Sequence, residues 1–190
     1  MARPREFDEE EVLGAIKDVF WRKGYEGASY ADLIEASGLH KGSLYAAFGD
    51  KRALYLRALR DYDEHEVAGA VALLTGEEGK KRSGAKRIEA LLNAVIEAVT
   101  IDNDRRGCLL CNASVDQAPH DKDVEAMVSR GVARMQVAFG DALDGVKSDK
   151  ARKETASLLT SVYFGMRVMA KSGASLTMLR QARNAALSMV

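Results

Sequence analysis

The two cysteines of this chain stand three apart, in Gly107-Cys108-Leu109-Leu110-Cys111-Asn112, and a C-x-x-C pair lends itself to several chemistries. A thioredoxin-like dithiol needs strands alternating with helices around it, and no such alternation is visible. A zinc site needs more ligands; of the three histidines, His40, His65 and His120, only His120 lies near in sequence. A thiol switch asks for less. Cysteines at i and i+3 of a helix are neighbours, and a thiol in the first turn of a helix ionises more readily. The plain alternative is two small side chains packed as hydrophobes. No paired histidine motif and no glycine-rich loop after a strand is present, so neither metal nor cofactor is expected.

A second kind of chemistry is reversible binding of a small molecule. Between the helical segments lie Met127, Met135, Met166 and Met169 with Phe139 and Tyr163, and a few polar groups: Asn112, Gln117, His120 and Arg167. Apolar walls with a few oriented polar groups suit a ligand cavity, and equally an ordinary core. The candidate effector pocket or thiol switch is therefore Cys108, Cys111, Asn112, Gln117, Met127, Tyr163 and Arg167.

A third site runs from Ser29 to Lys51. Ser29 is an N-cap candidate, and Tyr30, Leu33, Ile34 and Ser37 at i, i+3, i+4 and i+7 predict the buried side of a short helix. Gly38 can take positive φ and turn the chain. Beyond it Leu44, Ala47 and Phe48 point inward, leaving Lys41, Gly42, Ser43, Tyr45 and Ala46 outside. That is the grammar of a helix-turn-helix, whose second helix lies in the DNA major groove. Small residues on that face let a backbone approach another rigid surface. Lys51 and Arg52 then occupy the first turn of the next helix, where the dipole disfavours a cation unless a phosphate lies outside. The DNA-binding set predicted is Ser29, Tyr30, His40, Lys41, Gly42, Ser43, Tyr45, Ala46 and Lys51.

From about Phe7 to Leu59 the chain resembles the DNA-binding domain of the TetR family of bacterial repressors, at Phe20, Gly24-Tyr25, Ser29, Leu33, Gly38-Leu39, Lys41-Gly42-Ser43-Leu44-Tyr45, Phe48 and Lys51. The resemblance implies an all-α chain with a three-helix DNA-binding domain, then a larger ligand-binding and dimerising domain, and repression relieved by an inducer. It also departs from the family's pattern. Ala46 and Ala47 stand where an aromatic or basic residue and His or Asn are common, and Ile34 and His40 replace a common alanine and serine. Gly107-Cys108-Leu109-Leu110 resembles the start of the sixth helix in a subset of the family, where the residue at the cysteine position faces the effector cavity.

The 190 residues suit one or two domains and a sizeable core. Formal net charge is zero, but between Gly38 and Arg60 stand Lys41, Lys51, Arg52, Arg57 and Arg60 against Asp50, with Arg3 and Arg5 on an N-terminal arm: a local basic footprint. No apolar run nears the roughly 20 residues of a membrane span, and the acidic start (Glu6, Asp8 to Glu11) is unlike a signal peptide, so the expected location is cytoplasmic.

About nine helices are predicted. Helix one starts at Asp8 and Glu11, with capping-box spacing; it carries Val12, Ile16, Val19 and Phe20, and ends near Gly24. Helix four starts at Asp50 and runs through Tyr62 towards Leu74 as a connection between domains, set at 1–50 and 51–190. A loop over Thr75 to Gly84, containing Lys80, Lys81 and Arg82, precedes helix five, with Ile88, Leu91, Leu92, Val95, Ile96 and Val99 on one face. Helix seven, capped by Asp121, carries Val124, Met127, Val128, Val132, Met135 and Phe139 to near Gly145. Helices eight (149–171) and nine (from Ser175, with Leu176, Leu179, Ala182, Ala186 and Met189) form an antiparallel pair, and small Ala156, Gly165, Ala170, Ala182, Ala185 and Ala186 suit a homodimer interface, with internal core as the competing explanation. The expected partners are a double-stranded DNA operator, a second copy through 149–190, and a small-molecule effector, with no membrane. The competing reading is a thiol redox relay through Cys108 and Cys111, and a third is a structural nucleoid-binding protein.

Overall fold

The computed structural model describes residues 7–77 and 81–190; Arg3, Arg5, Glu6 and Lys80 lie outside them. Among the described residues every regular element is a helix. They are α1 (Glu9–Gly27), α2 (Tyr30–Ser37), α3 (Lys41–Phe48), α4 (a rod over 51–75), α5 (Gly84–Thr100), α6 (Leu109–Asp116), α7 (Lys122–Ala142), α8 (Asp149–Lys171) and α9 (Leu176–Leu187). None is long and apolar enough to cross a membrane.

The helix starts follow capping chemistry. Asp8, Ser29, Asp50, Asp121, Ser148 and Ser175 each accept an orphan amide of the helix that follows. Ser29 and Asp32 close a reciprocal capping box. Gly38 ends α2 at φ 65, a left-handed conformation in which a side chain would be strained. Gly24 breaks α1 at φ 73, leaving one further turn to Gly27, and Asn103 at φ 51 turns the chain after α5. The rod α4 is α-helical over Lys51–Tyr62 and Ala68–Thr75, with a π turn over Asp63–Val67 between them, where burial passes from Tyr62 to Val67.

α1, the two short helices α2 and α3 and the start of α4 enclose Ile16, Phe20, Leu33, Leu44, Leu54 and Tyr55, all essentially inaccessible. Phe20 and Tyr55 meet edge to face at 5.0 Å. The second group, from the far half of α4 through α9, buries Leu74, Ile88, Leu92, Leu109, Phe139, Leu159, Met166 and Leu179. One buried cation sits among them: Arg87 donates to Asp144 at 2.8 Å and to the Leu74 carbonyl, pinning the end of α4 to α5.

Two expectations fail here. Tyr30, assigned to the inside of α2 by its spacing, is 43% exposed, because it opens the helix and its ring leans out onto Tyr45 at 5.6 Å. Val132, on the stripe read for helix seven, is likewise exposed, at 36%. Helix seven stops at Ala142, near the Gly145 expected.

Candidate nucleic-acid interface and the thiol junction

On the outer side of α3, Lys41, Gly42, Ser43 and Ala46 are exposed and Tyr45 is half-buried. Leu44 and Phe48 anchor the helix from beneath, at 0% and 3% exposure. His40 occupies the N-cap but makes no capping hydrogen bond with its side chain, so the first amides of α3 have no side-chain acceptor and face outward. A methyl group added at Gly42 would meet nothing within 4 Å; its smallness serves no internal packing. Lys41 Nζ lies 5.9 Å from the rings of both Tyr30 and Tyr45, which hold the ammonium over the face. Burial, and then a hydrogen bond to Tyr30, push the Tyr45 phenol up to about 12, so it stays neutral. Ser29 and Tyr30 border this surface from α2. Lys51 is half-buried with Nζ 4.5 Å over the Tyr25 ring, at the first residue of α4.

Arg52 departs from its predicted role. Its guanidinium makes two hydrogen bonds to Asp121, 2.6 and 2.9 Å, and one to Asp123, 2.6 Å. The cation expected to meet a phosphate is paired instead with the start of α7, and ties the first turn of α4 to the larger group of helices. Arg57 stacks over Phe48 at 5.1 Å, with Glu9 3.9 Å away.

The second site is the junction around Gly107. Its carbonyl accepts Arg167 Nη2 at 2.6 Å, Arg167 Nε at 3.2 Å and Trp21 Nε1 at 3.2 Å. Arg167 also donates to Tyr62 Oη at 3.3 Å and Tyr163 Oη at 3.4 Å. Tyr62 in turn donates to Cys108 Sγ at 3.4 Å. Burial, and next the negative charge favoured at Cys108, push the Tyr62 phenol well up, keeping its proton available to the sulfur. Burial alone would oppose ionisation of Cys108, yet a hydrogen bond from the Cys111 thiol, the Arg167 charge and the Tyr62 hydroxyl outweigh it and hold the thiol below its ordinary value. Cys111 moves the opposite way, because its proton is held by Cys108 and it is itself largely buried. Both cysteines are unbridged.

Around this junction α1 is held by the larger group. Asn112 Nδ2 donates to the Trp21 carbonyl at 3.1 Å, Asp116 accepts the Tyr25 amide at 2.6 Å, and Gln117 reaches Glu26 at 3.2 Å. Arg106 lies 3.9 Å over the Trp21 ring and binds Asp18 at 2.6 Å. Between the end of α1 and α6 runs a crevice of about 520 Å³, walled by Lys23, Glu26, Cys111, Asn112, Val168 and Lys171 among others.

Of the predicted effector residues, the structure brings together Cys108, Cys111, Tyr163 and Arg167. Asn112 and Gln117 face α1, and Met127 packs half-buried against the core on α7. Sequence reasoning missed Tyr62, Gly107, Trp21 and Asp116 as functional groups. Each acts through a partner 46 to 105 residues away, and no local spacing signals that.

Comparison with known proteins places this geometry. A family described as bacterial regulatory proteins, tetR family, matches residues 12–58. An uncharacterised HTH-type transcriptional regulator of Bacillus subtilis, YezE, is 30% identical over 139 residues, covering 73% of this chain and 70% of the relative. The HTH-type transcriptional repressor ComR of Escherichia coli is 29% identical over 188 residues, covering 94% and 87%. Among solved structures, a cysteine mutant of the TetR family transcriptional regulator CifR, complexed with 26bp double-strand operator DNA, superposes with a TM-score of 0.84 at 31% identity, over 98% of each chain.

Proposed function

This chain belongs to the TetR family of bacterial regulatory proteins and is a DNA-binding transcriptional repressor, not an enzyme, and from that membership we propose that it grips a two-fold operator as a homodimer and lets go when a small molecule, or a change at the thiol pair, acts on its larger domain. The membership also removes the redox-relay enzyme read from Cys108 and Cys111. Residues 1–50 are the reading head in this proposal and 51–190 the effector and dimer domain, with α4 spanning both. The working location is the cytoplasm, where bacterial operators are.

The observation that carries the proposal is the outer face of α3: exposed, small, uncapped at its start and flanked by Lys41 and Lys51. Its free amides suit a phosphate, Ser43, Tyr45 and His40 offer hydrogen bonds to backbone or base edge, and Gly42 and Ala46 let the helix sink into the groove. Ser29 and Tyr30 brace the backbone from the side. One helix this short has few base contacts, which favours two copies about 34 Å apart. On α8 and α9, Leu158 and Met178 are exposed at 42% and 50%, with Gly165, Ala182 and Ala185 half-buried or exposed, and this is the face assigned to the second copy; Ala156, Ala170 and Ala186, read from the sequence as part of it, are buried in the protomer's own core. The crevice of about 520 Å³ between α1 and α6 falls within the usual size of small-molecule sites; an occupant there bears on the contacts that seat α1.

The test is selection from a random pool of duplexes by the reduced full-length protein, followed by sedimentation of the complex. Enrichment of a dyad-symmetric duplex holding two protomers, or a multiple of two, is expected. Equal binding to scrambled duplex would turn the reading to non-specific nucleoid association.

A further inference from the structure

We propose that Cys108 and Cys111 are an attacking and a resolving thiol, and that a hydroperoxide joins them into a disulfide within one protomer that unseats α1 and so releases the operator. The inference rests on the repressor reading above.

The two sulfurs are prepared differently. Cys108 is 3% exposed, receives the Tyr62 hydroxyl and lies in the field of Arg167. Cys111, in the first turn of α6, keeps its proton and forms part of the wall of the crevice, so the side from which the peroxide enters in this proposal is that of Cys111. In the first step the Cys108 thiolate attacks one peroxide oxygen: an S–O bond forms, the O–O bond breaks, and the departing alkoxide or hydroxide takes a proton from water. The sulfur is oxidised by two electrons and the peroxide reduced by two. In the second step the Cys111 sulfur attacks the sulfenic sulfur, the S–S bond forms, the S–O bond breaks, and hydroxide leaves with the Cys111 proton as water.

The consequence follows from where the neighbours hold α1. Gly107, beside Cys108, accepts the Trp21 indole N–H, and Asn112, beside Cys111, donates to the Trp21 carbonyl. One residue of α1 is thus held at its ring and at its backbone by the two flanks of the thiol pair. Cys108 is the N-cap of α6, in extended backbone at φ −119 and ψ 125, and Cys111 stands in the first turn of that helix; a disulfide requires their Cβ atoms to lie about 3.5–4.5 Å apart. Closing the bond fixes the cap against that first turn and so bears on the backbone at both flanks, Gly107 and Asn112. Gly107 has no slack to absorb this: it sits at φ +75, and a Cβ there would lie 3.0 Å from the Arg167 carbonyl. Oxidation also removes the negative charge that Arg167 and Tyr62 face, so the cation loses its counter-charge at the moment its neighbour moves.

The experiment treats the reduced full-length protein with hydrogen peroxide and follows its mass, its peptide map and its binding to a duplex that the reduced protein selected. A mass loss of about 2 Da is expected, with Cys108 linked to Cys111, a fall in duplex affinity of about tenfold or more, and recovery in dithiothreitol. Cys111→Ser is expected to stop at a sulfenic acid, about 16 Da heavier and trapped by dimedone. In Cys108→Ser the ratio of affinities before and after peroxide is expected to stay at unity. Reaction no faster than that of free cysteine, a disulfide between protomers, or an intraprotomer bond that leaves duplex affinity unchanged would overturn the inference. A reduced protein that enriches no duplex instead sinks the repressor reading, and the release step with it, while the mass shifts still judge the thiol pair.

Discussion

The outer face of α3 and the junction around Gly107 are built in opposite ways. On α3 the side chains come from eight consecutive residues, are mostly exposed, and have few partners within the chain: Lys41 hovers over two rings, and the helix start is uncapped. At Gly107 the groups come from α1, α4, α6 and α8, are buried or half-buried, and share acceptors at 2.6 to 3.4 Å. The difference teaches that the first surface is unfinished by itself and fits a partner, while the second is finished and so can only transmit. A network with every member satisfied changes cooperatively when one member changes.

The contrast is sharpest in stability. Trp21→Ala removes a 3% exposed indole, its edge-to-face contact with Tyr62 at 4.8 Å and its bond to Gly107. A loss of about 3–5 kcal/mol is expected, read from urea unfolding; a midpoint close to wild type would mean that the junction does not hold α1. A smaller, pH-dependent effect is expected at Cys108. Its folded pKa lies below the ordinary thiol value, so its contribution is present above the ordinary pKa and lost as pH falls through the folded one. The stability of wild type relative to Cys108→Ser should therefore climb as pH rises towards the ordinary thiol range, followed by urea midpoints from acid to mildly alkaline pH. A flat difference would place an ordinary thiol there. Smallest in stability, and informative for that reason, is Lys41→Ala: about 0.5 kcal/mol or less, with weaker operator binding and a salt slope reduced by about one. If unfolding moved as far as it does at the junction, the open-face description of α3 would be wrong.

How much of this was legible in the sequence follows the same division. The cap residues Asp8, Ser29, Asp50, Asp121 and Ser175, the turn at Gly38 and the helices of the described residues are local matters, and local spacing carries them. So is the outer face of α3, since Leu44 and Phe48 define its inside. Tyr30 misled because periodicity ranks a residue by angle alone, while the first position of a helix stands at the edge of its packing. Arg52 misled because a cation at a helix start calls for an anion, and two aspartates about seventy residues away supply it. At the thiol site the spacing of Cys108 and Cys111 was visible, but not which of the two ionises. That depends on Tyr62 and Arg167, and their convergence on one sulfur belongs to the tertiary fold.

The π turn in α4 has a last bearing on how one rod serves two cores. An α-helix advances about 100° per residue, and a π turn takes in one residue more than an α turn does. The strip bearing Tyr55, Leu59 and Tyr62 and the strip bearing Val67, Ala70 and Leu74 are thereby set out of phase. The first is keyed to α1 and the second to α5 and α7. A rod without that surplus residue would have to choose between its two audiences; with it, the same backbone addresses both.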